Sequence, residues 1–474
     1  MSRLRAASVV STAVLSTFLT ALDGSIVNVA LPQMRHQLSL SETDLKWVAT
    51  AYPLTLASLL LMAGQLTDTK GRRWALLTGV AAFTLASVCC ALSTTGMMLV
   101  CCRALQGAGA AFILPSSLAV MATDVPRRAR TAAFGATSAT MASALAFGPV
   151  ISGVVTQHLG WQWLFALNIP LGLAGFVIGA AVIPGPAHHR GARPGPAAVV
   201  PHHMITLACL SLAALAYFLI QGPSYGFTEP PVMLCGMAGA TGLLTLYCIR
   251  RPGRSPALVT LLRRRAFAGG VITQLLWGLG VSGVYFYTSQ FLQNSLRLSP
   301  TRAGLAFTPV VCALFVTAPF VGALARRWTD ARVASSGLLL VAAGLLLVAA
   351  GSHRGHLLDL LPGLAAVGTG SALALPLTTQ ALGASPDHLS GFAAGLFSAA
   401  RELSGVFGIV LVGAVVTFVE KSLATGHAPD GQAFTTGYQA GLCVAAVLVG
   451  AGAPVALWAL RRSPQVRNKT LVDS

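Results

Sequence analysis

Two acidic residues and two arginines of this sequence lie deep inside long apolar stretches. Asp23 stands in LDGSIVNVALP, Arg103 stands in CCRALQGAGAA, and Arg401 directly precedes Glu402 in a third stretch. A charge in the hydrocarbon core of a membrane costs at least about 2.5 kcal/mol, so residues of this kind usually serve a function. A carboxylate that is partly removed from water can bind and release a proton near neutral pH. These residue types therefore point to proton transfer or ion-pair exchange within a membrane.

The positions of Asp23 and Arg103 predict that the two side chains lie at the same depth. Asp23 is seven residues before the end of the first apolar stretch, and Arg103 is six residues after the start of the fourth. At about 1.5 Å per residue, their levels differ by only a few ångströms. Because arginine stays charged, it can hold a nearby carboxylate ionised and let it take a proton when moved away. Two other interpretations remain open: a structural Asp23 satisfied by Ser25 and Asn28, and a fixed ion pair that only joins two helices.

Glu402 is predicted to lie near the middle of the membrane. It stands 10 residues into the thirteenth apolar stretch, or about 15 Å along a helix. Arg401 is its neighbour, but successive helical residues point about 100° apart, so we do not expect the two to neutralise each other. Glu402 either offers a carboxylate to a cationic substrate or a second proton, or it is a buried hydrogen-bonding group.

Two glycine-containing segments have predicted mechanical roles. In GQLTDTKGRR, residues 64–73, we expect Gly64 to allow close helix approach, Asp68 to cap the next helix or pair with basic groups, and Arg72 with Arg73 to anchor the interface. A weakly similar segment, GALARRWTDAR at 322–332, indicates that the two halves of the chain are repeats.

The second segment is ASALAFGPVISG, residues 142–153. Gly148 and Pro149 are predicted to kink the helix, and Ala144, Gly148 and Ser152 form a face of small residues. The segment serves either helix packing alone or a hinge that sets which side a cavity opens to.

The elements that position these residues are membrane helices. Hydrophobic residues make up 55% of the 474 residues, charged residues only 9%, and the mean hydropathy is +0.73, whereas soluble domains are about 25% charged. Runs of about 20 apolar residues, enough to cross a bilayer, occur at 8–30, 47–66, 74–93, 97–121, 134–156, 162–183, 203–221, 230–249, 266–290, 302–325, 332–350, 357–381, 392–417 and 437–460. The sequence therefore predicts fourteen spans, with connections too short for a soluble domain.

The net charge of +18 would suggest nucleic acid in a soluble protein, but here its distribution indicates topology. With the amino terminus in the cytoplasm, 23 of the 31 Lys and Arg fall in inner segments. Six fall in outer segments: Arg35, Lys46, Arg297, Arg302, Arg354 and Lys421. This bias matches the positive-inside rule and predicts two cytoplasmic termini.

Other chemistries have no support in the sequence. No glycine is followed by lysine, so the phosphate loop that binds ATP is excluded, and there is no H-E-x-x-H motif. The pairs His188-His189 and His202-His203 are expected in a Pro/Gly-rich connector, where solvated histidines are more common than metal ligands. The nine cysteines all fall within the apolar stretches and are expected to act as small core hydrophobes.

Several motifs together resemble the major facilitator superfamily, and within it the fourteen-span drug:proton antiporters related to methylenomycin, lincomycin and tetracycline exporters. The first-span motif is matched by Leu22-Asp23-x-x-Ile26-Val27-Asn28-Val29-Ala30-Leu31-Pro32 and the loop motif by Gly64-x-Leu66-x-Asp68-x-x-Gly71-Arg72-Arg73. The fourth-span motif is matched by Arg103-x-x-Gln106-Gly107-x-Gly109 and the antiporter motif by Gly148-Pro149-x-x-x-Gly153. Further similarity is carried by Trp161-x-Trp163-x-Phe165-x-x-Asn168-x-Pro170, Ser299-Pro300-x-x-Ala303-Gly304-Leu305-x-x-x-Pro309 and Arg401-x-x-x-Gly405-x-x-Gly408.

The sequence also departs from the family pattern. Thr69 follows Asp68 where the family usually has Arg, which puts a charge relay from Asp68 in doubt unless Lys70 serves it. Glu402 occupies a position that is often Gln, so the resemblance implies no role for it. Gln162, Ser152 and Ser398 are three other departures.

The resemblance implies an all-helical fold of two six-helix bundles, residues 1–183 and 266–474, joined by a linker with two inserted spans at 184–265. It implies a monomeric antiporter of the bacterial cytoplasmic membrane that exports a drug, uses the proton gradient as its only energy source and needs no cofactor, metal or nucleic acid. Asp23 and Arg103 would couple the proton, and Asn28, Gln106, Arg401 and Glu402 would face the substrate. The alternatives are a superfamily importer and a membrane receptor that transports nothing.

Overall fold

The computed structural model describes residues 3–184, 202–248, 260–386, 389–424 and 430–460. Within these ranges the regular elements are helices. In chain order they are α1 Arg3–Leu38, α2 Glu42–Lys70, α3 Arg72–Ala91, α4 Gly96–Asp124, α5 Arg127–His158, α6 Gln162–Ala166, α7 Asn168–Val182, α8 His202–Tyr225, α9 Pro230–Cys248, α10 Arg265–Gln290, a π-helical turn Phe291–Ser295, α11 Pro300–Leu305, α12 Thr308–Trp328, α13 Asp330–Ser352, α14 Leu357–Leu373, α15 Leu375–Gly383, α16 Ser390–Ala424 and α17 Asp430–Ala459. An all-helical chain is expected in lipid, because only a helix or a closed barrel satisfies every backbone polar group there.

Ten helical segments in the described residues are long and apolar enough to cross a membrane, and the two parts of α2, which meet at an angle of 51°, make an eleventh if they count as one span. Two shorter apolar helices run over Thr206–Gly222 and Pro230–Thr245. All fourteen predicted stretches coincide with helical residues. The protein is therefore a multi-pass helical membrane protein, while the number of fourteen crossings stays a prediction.

Local sequence explains several helix ends. Ser41 and Asp44 form a capping box at the start of α2, with each side chain bonded to the other's backbone N–H. The side chain of Thr95 accepts a hydrogen bond from the N–H of Met98 at the start of α4. These caps place the short turns between successive helices.

Two equivalent turns support the predicted repeat. Gly71 joins α2 to α3 with φ +98°, and Thr329 joins α12 to α13 with φ +115°. This backbone region suits glycine and strains other residues, and the Thr329 side chain compensates by accepting a hydrogen bond from the N–H of Arg332. The positive φ of Gly71 thus explains why a glycine occupies this position. The similar segment at 322–332 contains the corresponding turn between α12 and α13.

Two expectations for the first of these turns are wrong. A side chain on Gly64 would meet no described atom within 4 Å, so none of the described helices approaches it closely. Asp68 lies inside α2, where it is exposed, and the residue that precedes α3 is Gly71, so Asp68 does not cap α3. The helix continues past Asp68 to Lys70, which carries this carboxylate away from the free N–H groups of α3.

The helices pack as two groups, α1–α7 and α10–α17, with α8 against α2 and α16 and α9 against α8. Glycines allow the closest contacts in both groups: Gly79 packs on Gly109 between α3 and α4, and Gly337 packs on Gly370 between α13 and α14. Small residues at such crossings are typical of membrane helices, because close backbone contact replaces the missing hydrophobic driving force.

The two groups contact each other at the end of the molecule where α1 finishes, near Leu38, which is called the far end below. There Gly153 of α5 packs against the Pro300 carbonyl of α11. The Gln293 amide donates a 2.8 Å hydrogen bond to the Val29 carbonyl. At the opposite end, the α5 residues Gly135, Ala136 and Ala139 are exposed.

Two sequence-based placements need correction. Four cysteines, Cys89, Cys101, Cys312 and Cys443, are exposed rather than packed in the core, and Cys90 is buried. His202 and His203 begin α8 instead of lying in a connector, while His188 and His189 lie outside the described residues. Lys46, assigned to an outer segment, lies near the start of α2 and is only 2% exposed, a burial that the sequence did not predict. Hydropathy records which residues are apolar but not which helix face meets a neighbour.

Candidate functional site

Asp23 lies at the centre of a fully buried polar cluster formed by three helices. Its side chain has no exposed area. One carboxylate oxygen accepts a very short hydrogen bond from Arg103 of α4. The other accepts hydrogen bonds from the Asn168 amide of α7 at 2.8 Å and from the Gln106 amide of α4 at 3.2 Å. Asp23 therefore has hydrogen-bond partners on both carboxylate oxygens, and the predicted pairing of Asp23 with Arg103 agrees with the structure.

The Arg103 guanidinium is held by aromatic rings as well as by Asp23. It lies 4.6 Å from the ring centre of Tyr52 and 5.7 Å from that of Phe165. Its second hydrogen bond goes to the Gln106 carbonyl oxygen at 2.9 Å, and its Nε has no partner among the described residues. Aromatic faces attract a cation by up to about 2 kcal/mol when water is excluded. Arg103 is therefore stabilised by its surroundings and still has a free donor.

Gln106 belongs to this cluster and does not face a cavity, which corrects the sequence-based expectation. It is fully buried, donates to the Ser87 hydroxyl at 2.8 Å and accepts from the Cys90 thiol. Gln106 therefore links Asp23 and Arg103 to helix α3.

The predicted local partners of Asp23 are also wrong. The Ser25 hydroxyl donates to the carbonyls of Leu22 and Ala144, and half-buried Asn28 has no hydrogen bond to Asp23. Residues two and five positions away on a helix point to other sides, so the partners come from other helices. Asn168 belongs to the motif that begins at Trp161, but no role was predicted for it. Its amide inside an apolar stretch was the available signal, since a buried amide needs a hydrogen-bond partner.

We expect Asn168→Ala to lower the free energy of unfolding by about 1–3 kcal/mol, because the buried carboxylate of Asp23 loses a donor. Denaturation of the purified protein in mixed micelles with increasing SDS measures this. Asn28→Ala is the matched control and should change stability by less than about 0.5 kcal/mol. Equal effects of the two variants would show that the bond from Asn168 to Asp23 contributes nothing measurable.

The arginines of the 64–73 loop anchor helix ends, as predicted, but through partners that the sequence did not reveal. Arg72 forms two hydrogen bonds with Asp124 at the end of α4, at 2.6 and 2.5 Å. Arg73 donates to the carbonyls of Ala180 and Ile183 at the end of α7. A cation is favourable at a helix C-terminus because the last carbonyls carry partial negative charge. The loop motif therefore ties together α3, α4 and α7.

The Gly148-Pro149 segment is a contact surface in this structure. A side chain on Gly148 would overlap Ser25 of α1, and one on Gly153 would overlap the Pro300 carbonyl of α11. A side chain on Gly304 of α11 would likewise overlap the Pro149 carbonyl. Helix α5 runs without a break through Pro149. The segment thus touches both helix groups, as a hinge requires, while the kink stays a prediction.

Arg401 and Glu402 do neutralise each other, which corrects the argument from helical angle. The Arg401 guanidinium donates two hydrogen bonds to one Glu402 oxygen, at 2.8 and 3.2 Å. The arginine side chain is long enough to turn back around the helix, so the direction of its Cβ does not decide its partner. Arg401 is accessible, with 43% of its side chain exposed.

The hydroxyl of Tyr52 lies within electrostatic reach of both ion pairs, Asp23–Arg103 and Glu402–Arg401. Tyr52 is buried in α2 and donates a hydrogen bond to the Thr20 carbonyl. No group of three potential metal ligands occurs among the described residues.

Comparison with known proteins agrees with this architecture. A sequence profile described as Major Facilitator Superfamily matches residues 13–409 and again 270–471. The multidrug resistance protein Stp of Mycobacterium tuberculosis is 31% identical over 420 residues, which cover 88% of this chain and 76% of that protein. The methylenomycin A resistance protein of Bacillus subtilis is 30% identical over 436 residues, covering 90% of each chain.

The fold is also similar to solved structures. The crystal structure of a bacterial homologue of the human lysosomal transporter Spinster superposes with a TM-score of 0.65, covering 98% of this chain and 100% of that chain. The sequence identity is 16%, so this likeness concerns the fold alone.

Proposed function

The chain belongs to the major facilitator superfamily, and we propose that it exports a drug or antibiotic-like small molecule across the bacterial cytoplasmic membrane in exchange for protons. The observation that carries the proposal is the buried ion pair of Asp23 and Arg103 with its amide donors. A pair that only joined two helices would not need a buried carboxylate, whose removal from water is unfavourable, because apolar residues of the same volume often stabilise such a contact equally well.

We propose that Asp23 is the proton carrier and Arg103 the group that competes with the proton. In this structure Arg103 donates a hydrogen bond to the Asp23 carboxylate. When a proton binds that carboxylate instead, the freed guanidinium needs another acceptor, and the Asn168 carbonyl oxygen is buried in the same cluster without a partner among the described residues. Asp23 and Asn168 lie on α1 and α7, so this exchange changes what holds those helices to α4.

The structure corresponds in this proposal to an inward-facing state. The two helix groups contact each other at the far end, which the distribution of positive charge places outside the cell. Arg401 is accessible, and so is the inner part of α5. Opening the far end would expose Asp23 to external protons, and closing it again would deliver them inward.

The proton gradient supplies enough energy for export. Each charge that crosses the membrane contributes about 2.3 kcal/mol per 100 mV, and each tenfold proton gradient contributes about 1.4 kcal/mol. One proton can therefore sustain an outward drug gradient of about tenfold to several hundredfold.

The finer assignments also belong to this proposal. We propose fourteen spans, with bundles at 1–183 and 266–474 and two inserted helices within 184–265, both termini in the cytoplasm and a functional monomer. The protein then needs lipid, protons and a small-molecule substrate, and neither a cofactor nor catalysis. The names of the relatives support export of antibiotics, including methylenomycin A and puromycin.

Two other functions make different predictions. An importer of a small metabolite would move substrate in the direction of the proton. A receptor that transports nothing has no need for an ion pair that exchanges with protons. The contact of Gly148 and Gly153 with both helix groups favours a transporter whose two helix groups move relative to each other.

Transport in everted membrane vesicles separates these functions. When the vesicle interior is acidified, an exporter accumulates substrate inside and releases protons, which a pH-sensitive dye reports. Ethidium and puromycin are suitable probes. Substrate efflux from acidified everted vesicles would instead identify an importer, and the absence of any proton-dependent flux for a broad compound panel would exclude the proposal.

Glu402→Gln should lower resistance to permanent cations by about tenfold and leave resistance to uncharged compounds unchanged, because a tenfold loss corresponds to about 1.4 kcal/mol of attraction. Minimum inhibitory concentrations for ethidium and chloramphenicol measure this. Asp359→Asn, which removes a carboxylate that pairs with exposed Arg354 at the surface, is the control. If the two classes of compound respond alike, Glu402 serves only to hold Arg401.

A further inference from the structure

A polar cavity of about 420 Å³ lies between α8 and α9, outside the two helix groups. The side chains that line it are Tyr217, Gln221 and Tyr225 of α8, Glu229 of the following turn, and Pro231 and Val232 of α9. The ring of Tyr217 also packs on Trp47 near the start of α2, with 6.2 Å between the ring centres. Because α2 starts where α1 finishes, this contact places the cavity at the far end.

The turn between α8 and α9 is packed rather than open. Gly226 has φ +104°, a backbone conformation that favours glycine. The ring of Phe227 lies 5.1 Å from that of Phe218 on α8, and a side chain on Gly222 would overlap Phe227. The local sequence therefore sets the shape of this turn and with it the shape of the cavity.

The groups that line the cavity favour a cation. Glu229 supplies a carboxylate that has no ion pair among the described residues, and none of the lining residues is basic. The carbonyl oxygen of Gln221 is buried without a hydrogen-bond partner in the described part of the chain. The rings of Tyr217 and Tyr225 can attract an ammonium group through their π electrons. An acid, an unpaired acceptor and two aromatic rings together suit an organic ammonium group, whereas Glu229 would repel an anion.

The surroundings of the cavity indicate an amphipathic ligand. Helix α9 packs on α8, and its apolar side chains Met233, Leu234 and Met237 are exposed, as expected of a surface that faces lipid. Tyr225 and Glu229 are exposed as well, and tyrosine is typical of the boundary between membrane and water. A molecule that binds here can place its polar end in the cavity and its apolar chain among the lipids.

We propose that the cavity between α8 and α9 binds the ammonium group of an amphipathic molecule at the membrane surface of the far end. Glu229 is the counter-ion, Gln221 is the hydrogen-bond acceptor, and Tyr217 and Tyr225 are the aromatic walls. Two sources share this chemistry: the head group of an aminophospholipid and a soluble cationic amphiphile. The site lies outside both helix groups, so it does not depend on the direction or the energy source of the transport proposed above.

Fluorine NMR of the full chain, with fluorotyrosine in place of its seven tyrosines, tests the site directly. Tyr217→Phe and Tyr225→Phe identify the two cavity resonances, and the remaining resonances report changes elsewhere. The protein in dodecyl maltoside micelles is titrated with dihexanoylphosphatidylethanolamine, hexyltrimethylammonium or dihexanoylphosphatidylglycerol. The two compounds with an ammonium group should move the cavity resonances at concentrations at least about tenfold below that of dihexanoylphosphatidylglycerol, because the carboxylate and the rings attract only the ammonium groups. The two phospholipids have the same chains, so the difference between them reports the head group.

Variants of the lining residues test each role. Glu229→Gln should reduce the preference for phosphatidylethanolamine over phosphatidylglycerol by about fivefold, because it removes the counter-ion. Tyr225→Leu should weaken binding as read from the Tyr217 resonance, whereas Tyr225→Phe, which keeps the ring, should not. Asp359→Asn removes a surface carboxylate that pairs with Arg354 and should leave the preference unchanged.

The titrations also identify the source of the ligand. A response to the phospholipid alone assigns the cavity to lipid, a response to hexyltrimethylammonium alone assigns it to soluble amphiphiles, and a response to both assigns it to the ammonium group itself. The inference is overturned if phosphatidylglycerol acts at the same concentration as phosphatidylethanolamine, if all tyrosine resonances move alike, or if Glu229→Gln keeps the full preference. None of these measurements involves export, so this inference and the proposed function can fail separately.

Discussion

Cells that produce Asp23→Asn should lose resistance to every exported compound while the protein reaches the membrane at normal levels. The amide side chain keeps the shape of the carboxylate but cannot bind and release a proton. In acidified everted vesicles the variant should show no proton-driven uptake, a loss of at least about 100-fold, because Asp23 is the carboxylate of the buried cluster among the described residues and Arg103 stays protonated.

The structure also predicts the stability of this variant. Arg103 loses an ionised acceptor but can still donate to the amide oxygen of the new residue, so the free energy of unfolding should fall by about 1–3 kcal/mol. Asp23→Glu, which retains a titratable group, should recover part of the transport. Asp359→Asn removes a carboxylate that pairs with exposed Arg354 at the surface and should behave like the wild type. Normal resistance in Asp23→Asn cells would rule out Asp23 as the proton carrier.

The second large effect is expected from Arg103→Ala. Removal of one partner of a buried ion pair leaves the other charge uncompensated and typically costs about 3–5 kcal/mol. Asp23 would keep only its two amide donors, and the rings of Tyr52 and Phe165 would lose the cation that lies between them. Denaturation with SDS should show this loss, and export should be abolished.

A double-mutant cycle distinguishes the ion pair from general packing. The combined variant Asp23→Asn with Arg103→Ala should be more stable than the sum of the single effects predicts, because no unpaired charge remains. Arg354→Ala breaks a surface pair and should cost less than about 1 kcal/mol. Arg103→Lys retains the charge and loses the planar guanidinium, so we expect impaired coupling. Full activity of Arg103→Lys would show that Arg103 supplies only a point charge, and additive single effects would show that the two residues do not interact.

Much of the architecture could be predicted from the sequence because hydropathy measures position along the membrane normal. The apolar stretches coincide with helices, and counting residues from their ends placed Asp23 and Arg103 at one depth, where the structure joins them. The turn within residues 64–73 and the similar segment at 322–332 were visible as local patterns of glycine and charge, whereas the positive φ of Gly71 and of Thr329 is known only from the structure.

Depth alone does not determine which residues meet, since this depends on the rotation of each helix about its axis and on which helices are neighbours. Helix rotation and the choice of neighbouring helices determine that Asn168 and Gln106 are the amide partners of Asp23. They also determine that Arg72 pairs with Asp124 and that Lys46 is buried near Gly413. Side-chain length then decided the pairing of Arg401 with Glu402, against the direction of their Cβ atoms. The sequence by itself determined that this is a helical membrane protein with charges at its centre, because burial cost is set by residue type. Only the tertiary structure decided how those charges are compensated, because compensation depends on contacts between helices that are far apart in the chain.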